Sequence, residues 1–201
     1  MKSKNLADKY FHQKDFSVLD IFLLILALVS VIVAIFIPGG MPIGLPVLFI
    51  CVFAFCVVRS QIIKDSEIDQ ILENIIQNNQ IPLSDSTIVG FDLKSTVVKK
   101  RKDGKLVSPY YYITNVLEFS STGFVLNIYV VDIINSSVKM FTQTINDTEK
   151  STLIEETIKT NAGDAKISYL KVNDNCIIPV TINDFKTSQV VDMICNRNEK
   201  N

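Results

Sequence analysis

Five cations crowd one turn of this chain: Lys99, Lys100, Arg101, Lys102 and Lys105, around Asp103-Gly104. Such a cluster attracts anionic lipid headgroups or an acidic protein surface. Each basic residue contributes about 1 kcal/mol near an anionic membrane, within a Debye length of about 8–10 Å. The plainer reading is a solvated turn that keeps a sheet edge soluble. Tyr110-Tyr111-Tyr112 follows closely and could line a ligand surface, although strand alternation sends at least one ring inward.

Covalent chemistry has fewer resources. The single histidine, His12, stands near the N-terminus, so no Ser-His-Asp or Cys-His site can be assembled in the C-terminal part. Glu155 and Glu156 are adjacent and would not face each other on a helix. Asp132 interrupts the apolar run from Val130 to Ile134 and reads either as a buried functional acid or as the end of a strand. Cys51, Cys56, Cys176 and Cys195 form no Cys-x-x-Cys pair, which argues against a zinc site and for buried packing thiols. No Gly-x-x-x-x-Gly-Lys-Ser/Thr loop is present. A net charge of −1 supplies no field for nucleic acid. These residue types point to binding rather than catalysis, with no catalytic residue, metal or cofactor expected.

The elements that must carry the cluster begin with a membrane anchor. From Ile21 to Val58 there are 38 residues without Asp, Glu, Lys, Arg or His. As one helix they would reach about 57 Å, against a hydrocarbon core of about 30 Å, so the run should cross twice. Pro38, Gly39, Gly40, Pro42, Gly44 and Pro46 mark the corner. The spans are expected at Ser17–Ile37 and Pro42–Val58. In the first, 14 of the 17 residues from Ile21 to Ile37 are large and apolar, each favouring insertion by about 0.3–0.6 kcal/mol. A cleaved signal peptide is the alternative, but the apolar stretch is too long and a second follows at once. Ala27, Ser30 and Ala34 form a small-residue packing face. Lys2, Lys4, Lys9 and Lys14 precede the first span, Arg59 and Lys64 follow the second, and the corner has no charge. The positive-inside rule then puts both termini in the cytoplasm. The sequons at Asn135 and Asn146 are accordingly chance matches.

Residues 1–16 therefore read as a cytoplasmic tail, 17–58 as a transmembrane hairpin, 59–80 as a connector and 81–201 as a cytoplasmic domain. In the connector Ile68, Ile71, Leu72, Ile75 and Ile76 recur at helical spacing. That stripe is expected to pack on the domain or a neighbouring copy, since its polar face lacks cations for a lipid surface. A helix prolonging the second span would act as a lever. Past Thr87 the period changes to two. Strands are expected near 89–97, 110–119, 124–134, 138–145, 165–172 and 176–182, in antiparallel hairpins. Residues 148–160 are ambiguous between strand and helix, and Leu153, Ile154, Thr157 and Ile158 on one helical face, with Gly163 as a stop, favour helix. A last helix spans about 187–196.

The run Ile177-Ile178-Pro179-Val180, then Phe185, then Val190-Val191-Asp192-Met193-Ile194 looks like a last strand, a plugging aromatic and a closing helix. With the two spans and linking helix, this layout resembles bacterial membrane-anchored pleckstrin-homology-like proteins. The resemblance implies seven strands, a bacterial cell membrane and a binding role, and the helix read at 148–160 departs from it. The fold class expected is an α+β membrane protein: an N-terminal two-helix transmembrane hairpin, then a cytoplasmic antiparallel β-rich domain with a C-terminal helix. The leading function is a non-enzymatic interaction module binding a protein partner or lipid headgroups, with membrane lipids and a protein partner or homo-oligomer as neighbours. Its rivals are a ligand-gated two-span effector, marked by a pocket with convergent polar and aromatic groups, and an accessory subunit of a transporter or secretion complex.

Overall fold

The computed structural model describes residues 2–13, 17–94, 97–120, 123–146, 150–174, 176–181 and 185–196, with side chains at 2–5, 118–120 and 185–186 excepted. Lys14, Thr148, Ile182 and the ring of Phe185 fall outside the described residues. The chain divides into two compact units, His12–Lys64 and a second made of Met1–Phe11 with Asp65–Asn201.

The first unit is a helical hairpin of α2 (Val18–Phe36) and α3 (Met41–Ser60). Ser17 starts α2 with a capping box: the Asp20 N–H donates to Ser17 Oγ (3.1 Å) and the Ser17 N–H to Asp20 Oδ2 (2.8 Å). Pro38 and Gly39, at φ +79°, turn the chain. The helices meet through small residues. A Cβ on Gly44 would lie 2.6 Å from the Ser30 carbonyl oxygen and 2.8 Å from Ala34 Cβ, so only glycine permits this approach. Ser30 is buried, with its hydroxyl returned to the Leu26 carbonyl at 2.8 Å, and Ala27 and Ala34 are half-buried beside it. The outer faces expose Phe22, Leu28, Ile35, Phe49 and Phe53. Both helices are long and apolar enough to cross a membrane, and only 11% of each apolar window is buried, unlike a core helix. Gln13 clips the two ends together, donating to the Ile63 carbonyl (2.9 Å) and accepting its N–H (3.0 Å).

The connector helix is shorter than expected. Turns at Gln61 and Ile62 interrupt the helix after Ser60, so the next one, α4 (Asp65–Asn78), does not prolong α3 and belongs to the second unit. The lever expectation is corrected accordingly. At its far end Gln80 takes φ +51° and Ile81 N–H reaches back to the Ile76 carbonyl at 3.0 Å, a left-handed helix stop.

The second unit joins α1 (Lys2–His12) and α4 to a β-rich body closed by α5 (Phe185–Asn196). A four-stranded antiparallel sheet runs in the order β1 (Thr87–Phe91), β4 (Tyr110–Ser120), β5 (Gly123–Asp132), β6 (Ser137–Asn146). The excursion between β1 and β4 holds a small hairpin, β2 (Lys99–Lys100) with β3 (Leu106–Val107). A three-stranded sheet follows, β7 (Thr152–Thr160), β8 (Gly163–Asn173) and β9 (Cys176–Val180). Ile88, Leu126 and Ile145 of the first sheet pack on Leu170 and Ile178 of the second and on Val190 and Ile194 of α5. The sheets meet where Gly90 crosses β9, a Cβ there falling 1.8 Å from the Pro179 oxygen, and Thr181 N–H donates to Val89 at 2.9 Å. The opposite face of the four-stranded sheet, with Tyr111, Ile113 and Val131, is also buried, and α4 turns Ile68, Ile71 and Ile75 inward while Leu72 and Ile76 are half-buried.

Residues 152–160 are strand, not the expected helix. Five of the nine residues in Thr-Leu-Ile-Glu-Glu-Thr-Ile-Lys-Thr are β-branched, and β8 offers a register-matched partner from Thr152↔Lys171 to Thr160↔Gly163. Tertiary pairing overrides the helical spacing of four apolar residues. Gly163 stops no helix. It opens the β7–β8 hairpin at φ +114°. The N-terminal tail is likewise ordered: Ala7, Tyr10 and Phe11 of α1 are buried in the β-rich unit.

Candidate functional site

The basic turn is built as expected, but its cations divide. Arg101 N–H closes on the Lys105 carbonyl at 2.8 Å, and Gly104 occupies the left-handed position at φ +86°. Lys100, Lys102 and Lys105 are exposed. Lys99, expected among the turn's surface contacts, is buried instead. It is 9% exposed, donates from Nζ to the Tyr10 carbonyl at 3.0 Å, and lies 4.4 Å from the Tyr10 ring centroid. A lysine on the last carbonyls of α1 complements the negative end of the helix dipole, and the ring adds a cation–π contact. Arg101 also turns inward. Its Nη2 and Nη1 grip Asp69 of α4 at 2.6 and 3.2 Å, and Nη2 reaches the Tyr111 hydroxyl at 3.4 Å. Strand pairing puts the polar end of one side chain over α1 and of the other over α4, which is why the expected uniform patch is not formed.

Together these contacts make a clasp. Tyr10 donates its hydroxyl to Asp65 Oδ1 at 2.6 Å, and Asp65 Oδ2 accepts the Lys102 N–H at 3.3 Å. Burial, reinforced by the hydrogen bond to Asp65, raises the Tyr10 phenol above its usual range. Burial raises Tyr111 to about 12, partly opposed by the Arg101 charge. Burial works against the charge of Arg101, but the Asp69 hydrogen bond and the surrounding phenols outweigh it and lift its pKa above the ordinary value. Tyr10, Asp65 and Asp69 do not stand out in the sequence as site residues. A signal existed: Tyr10 and Phe11 follow Leu6 and Ala7 at helical spacing, and Asp65 and Asp69 stand four residues apart on one face of the isoleucine-striped helix.

Beside the clasp the core ends in a recess. Along the inner face of the three-stranded sheet, the rung Leu153↔Leu170↔Ile178 is apolar, Glu155↔Ser168↔Val180 is mixed, and Thr157↔Lys166 is polar. Where apolar side chains stop, a cleft of about 560 Å³ opens, walled by Phe91, Leu106, Val107 and Val180. Arg101, Lys105, Lys166 and Glu155 supply its charged lining. Lys166 and Glu155 are 3.3 Å apart and mostly exposed, an ion pair of small energetic weight. Arg101 Nε is buried without a hydrogen-bond acceptor.

Asp132 marks a strand end, accepting the Asn135 N–H and side-chain amide at 3.0 and 2.6 Å across the β5–β6 turn. Glu156 binds Lys94 at 2.6 Å and Glu155 turns to the other face. Tyr111 is buried, Tyr112 borders the core, and Tyr110 is 37% exposed. All four thiols are free, with Cys51 and Cys176 buried. Among the described residues no group of His, Cys, Asp and Glu could hold a metal ion. Compared with known protein families, with curated proteins and with solved structures, the chain matches none.

Proposed function

We propose that this protein is a non-enzymatic, membrane-anchored interaction module: α2 and α3 cross the bilayer twice and hold the β-rich unit on its cytoplasmic side. The observation that carries the reading is the apolar exterior of a two-helix hairpin whose flanking segments, α1 and α4, share one buried unit. Exposed Phe22, Ile35, Phe49 and Phe53 would be costly in water and favourable in lipid. Four strands, then three strands, then a closing helix is the layout that the pleckstrin-homology-like resemblance implies, with residues 152–160 a strand of the second sheet.

Lys100, Lys102 and Lys105 are the cations left to face a lipid headgroup or an acidic partner surface. Reversing all three to Glu in the full chain should weaken its contact with anionic, not neutral, liposomes or lower recovery of a partner after detergent purification and mass spectrometry. Unchanged lipid contact together with unchanged recovery would remove the basic turn from the function.

A second reading, a ligand-gated two-span effector, draws support from the recess. Its volume lies within the roughly 300–1,000 Å³ typical of small-molecule sites, and Phe91 and the cations converge on it.

A further inference from the structure

We propose that the recess receives a phosphate-class anion, a phosphomonoester or diphosphate, and that Arg101 passes its arrival to α4. This inference rests on the ligand-gated reading and gives it a ligand class and a coupling residue. Of the charged side chains lining the recess, Arg101, Lys105 and Lys166 are cations and Glu155 is the one carboxylate, already satisfied by Lys166 at 3.3 Å. Cations of this kind, lining one cleft together with Phe91, Leu106, Val107 and Val180, suit an anion better than a neutral ligand. The cleft exceeds a bare phosphate, and Phe91 and Val180 offer a wall for a carbon portion.

Arg101 stands in two places at once. It lines the recess, and its fork is held on Asp69 at 2.6 and 3.2 Å. A phosphate presents more acceptor oxygens and more charge than a carboxylate, so it competes with Asp69 for the same planar donor set, and the buried Nε–H has no acceptor to lose. Asp69 lies one turn from Asp65, which holds Tyr10 of α1. Drawing Arg101 away leaves a carboxylate unpaired on α4 and loosens the helix pair that adjoins both ends of the hairpin in sequence. The coupling is therefore a competition for one guanidinium.

The test uses the full chain in nanodiscs of neutral phosphatidylcholine. Inorganic pyrophosphate is titrated in calorimetrically against sodium chloride of matched ionic strength, and a second arm replaces part of the lipid with phosphatidic acid. Amide exchange of residues 65–78 is followed in both. Pyrophosphate should bind and accelerate exchange in α4 at least several-fold if the ligand is soluble; phosphatidic acid should do so if it is a headgroup. Lys105→Glu with Lys166→Glu, both exposed, should abolish the response. Asp69→Asn should tighten binding and leave α4 exchanging fast without the probe. Should that variant lose protection in β4 and β5 as well, Arg101→Lys replaces it: a point charge keeps weak binding while α4 exchanges fast from the start. No response to either probe overturns the site, as does a response surviving the double reversal. Binding without altered α4 exchange overturns the Arg101 coupling alone, and none of these results touches the anchored-module reading, whose tests are liposome contact and partner recovery.

Discussion

Tyr10 is used twice over. Its hydroxyl donates to Asp65 at 2.6 Å, and its carbonyl receives the Lys99 ammonium, which also sits over the ring. Lys99→Met keeps the aliphatic stem but leaves the end of α1 uncapped, so thermal unfolding of the full chain in nanodiscs should show a loss of about 1–3 kcal/mol. Lys100→Met, one residue along and exposed, should stay within about 0.5 kcal/mol of the parent. Titration adds a second expectation. A phenol whose folded pKa exceeds its unfolded value holds its proton more tightly in the fold. That stability is complete below the unfolded value of 10.0 and is lost as pH rises through about 12 for Tyr111. Tyr10 shifts in the same direction, through burial and the Asp65 bond. The β-rich unit should therefore begin to unfold between pH 10 and about 12, with phenolate absorbance lagging behind free tyrosine. Tyr111→Phe should flatten that dependence, and an unchanged alkaline limb would show that Tyr111 does not set it.

Among the elements, β1 and β9 depend on one missing side chain. Gly90 lets the sheets cross where a Cβ would lie 1.8 Å from the Pro179 oxygen, and backbone on both sides leaves little room to yield. Gly90→Ala should cost about 3 kcal/mol or more and abolish the cooperative transition of the β-rich unit, whereas an alanine at exposed Lys139 should not. Circular dichroism melting of the two full-length variants separates them. Most elements were legible because their signals are local: the uncharged run and its Pro/Gly corner for α2 and α3, the isoleucine stripe for α4, the period-two stretches at 110–119 and 124–134 for β4 and β5. Residues 152–160 are ambiguous in the sequence because Leu153, Ile154, Thr157 and Ile158 fit a helical face equally well, and only the pairing with β8 decides between periods. The clasp was illegible for a related reason. Tyr10–Asp65, Lys99–Tyr10 and Arg101–Asp69 join residues 55, 89 and 32 positions apart, and charge spacing along the chain cannot report which cation turns inward. The recess was invisible for the same cause, since its polar rungs alternate with core rungs on strands that look uniformly half-apolar.

For the molecule as a whole, the chain leaves the β-rich unit after Phe11 and rejoins it at Asp65, with the hairpin between. An odd number of crossings would pull Ala7, Tyr10 and Phe11 out of the unit that buries them, so membrane insertion of α2 and α3 is compatible with the fold only if both cross or neither does. If both cross, as proposed, the tail and the β-rich unit share a side of the membrane and the uncharged corner is expected on the other, with the lysines of residues 2–14 favouring the cytoplasm for the former. Single-cysteine labelling can read this directly. After Cys51, Cys56, Cys176 and Cys195 are replaced by alanine, cysteines are introduced one at a time at exposed Lys9, Pro38 and Lys139. In intact cells a membrane-impermeant maleimide should label only Pro38→Cys, and lysis should expose Lys9→Cys and Lys139→Cys together. Labelling of Lys9→Cys and Lys139→Cys but not of Pro38→Cys in intact cells would invert the domain's location, whereas Lys9→Cys and Lys139→Cys on different sides would contradict the buried α1. Equal labelling of Pro38→Cys and Lys139→Cys in every condition, with the chain recovered in the soluble fraction, would mean that the apolar hairpin is covered by protein rather than lipid.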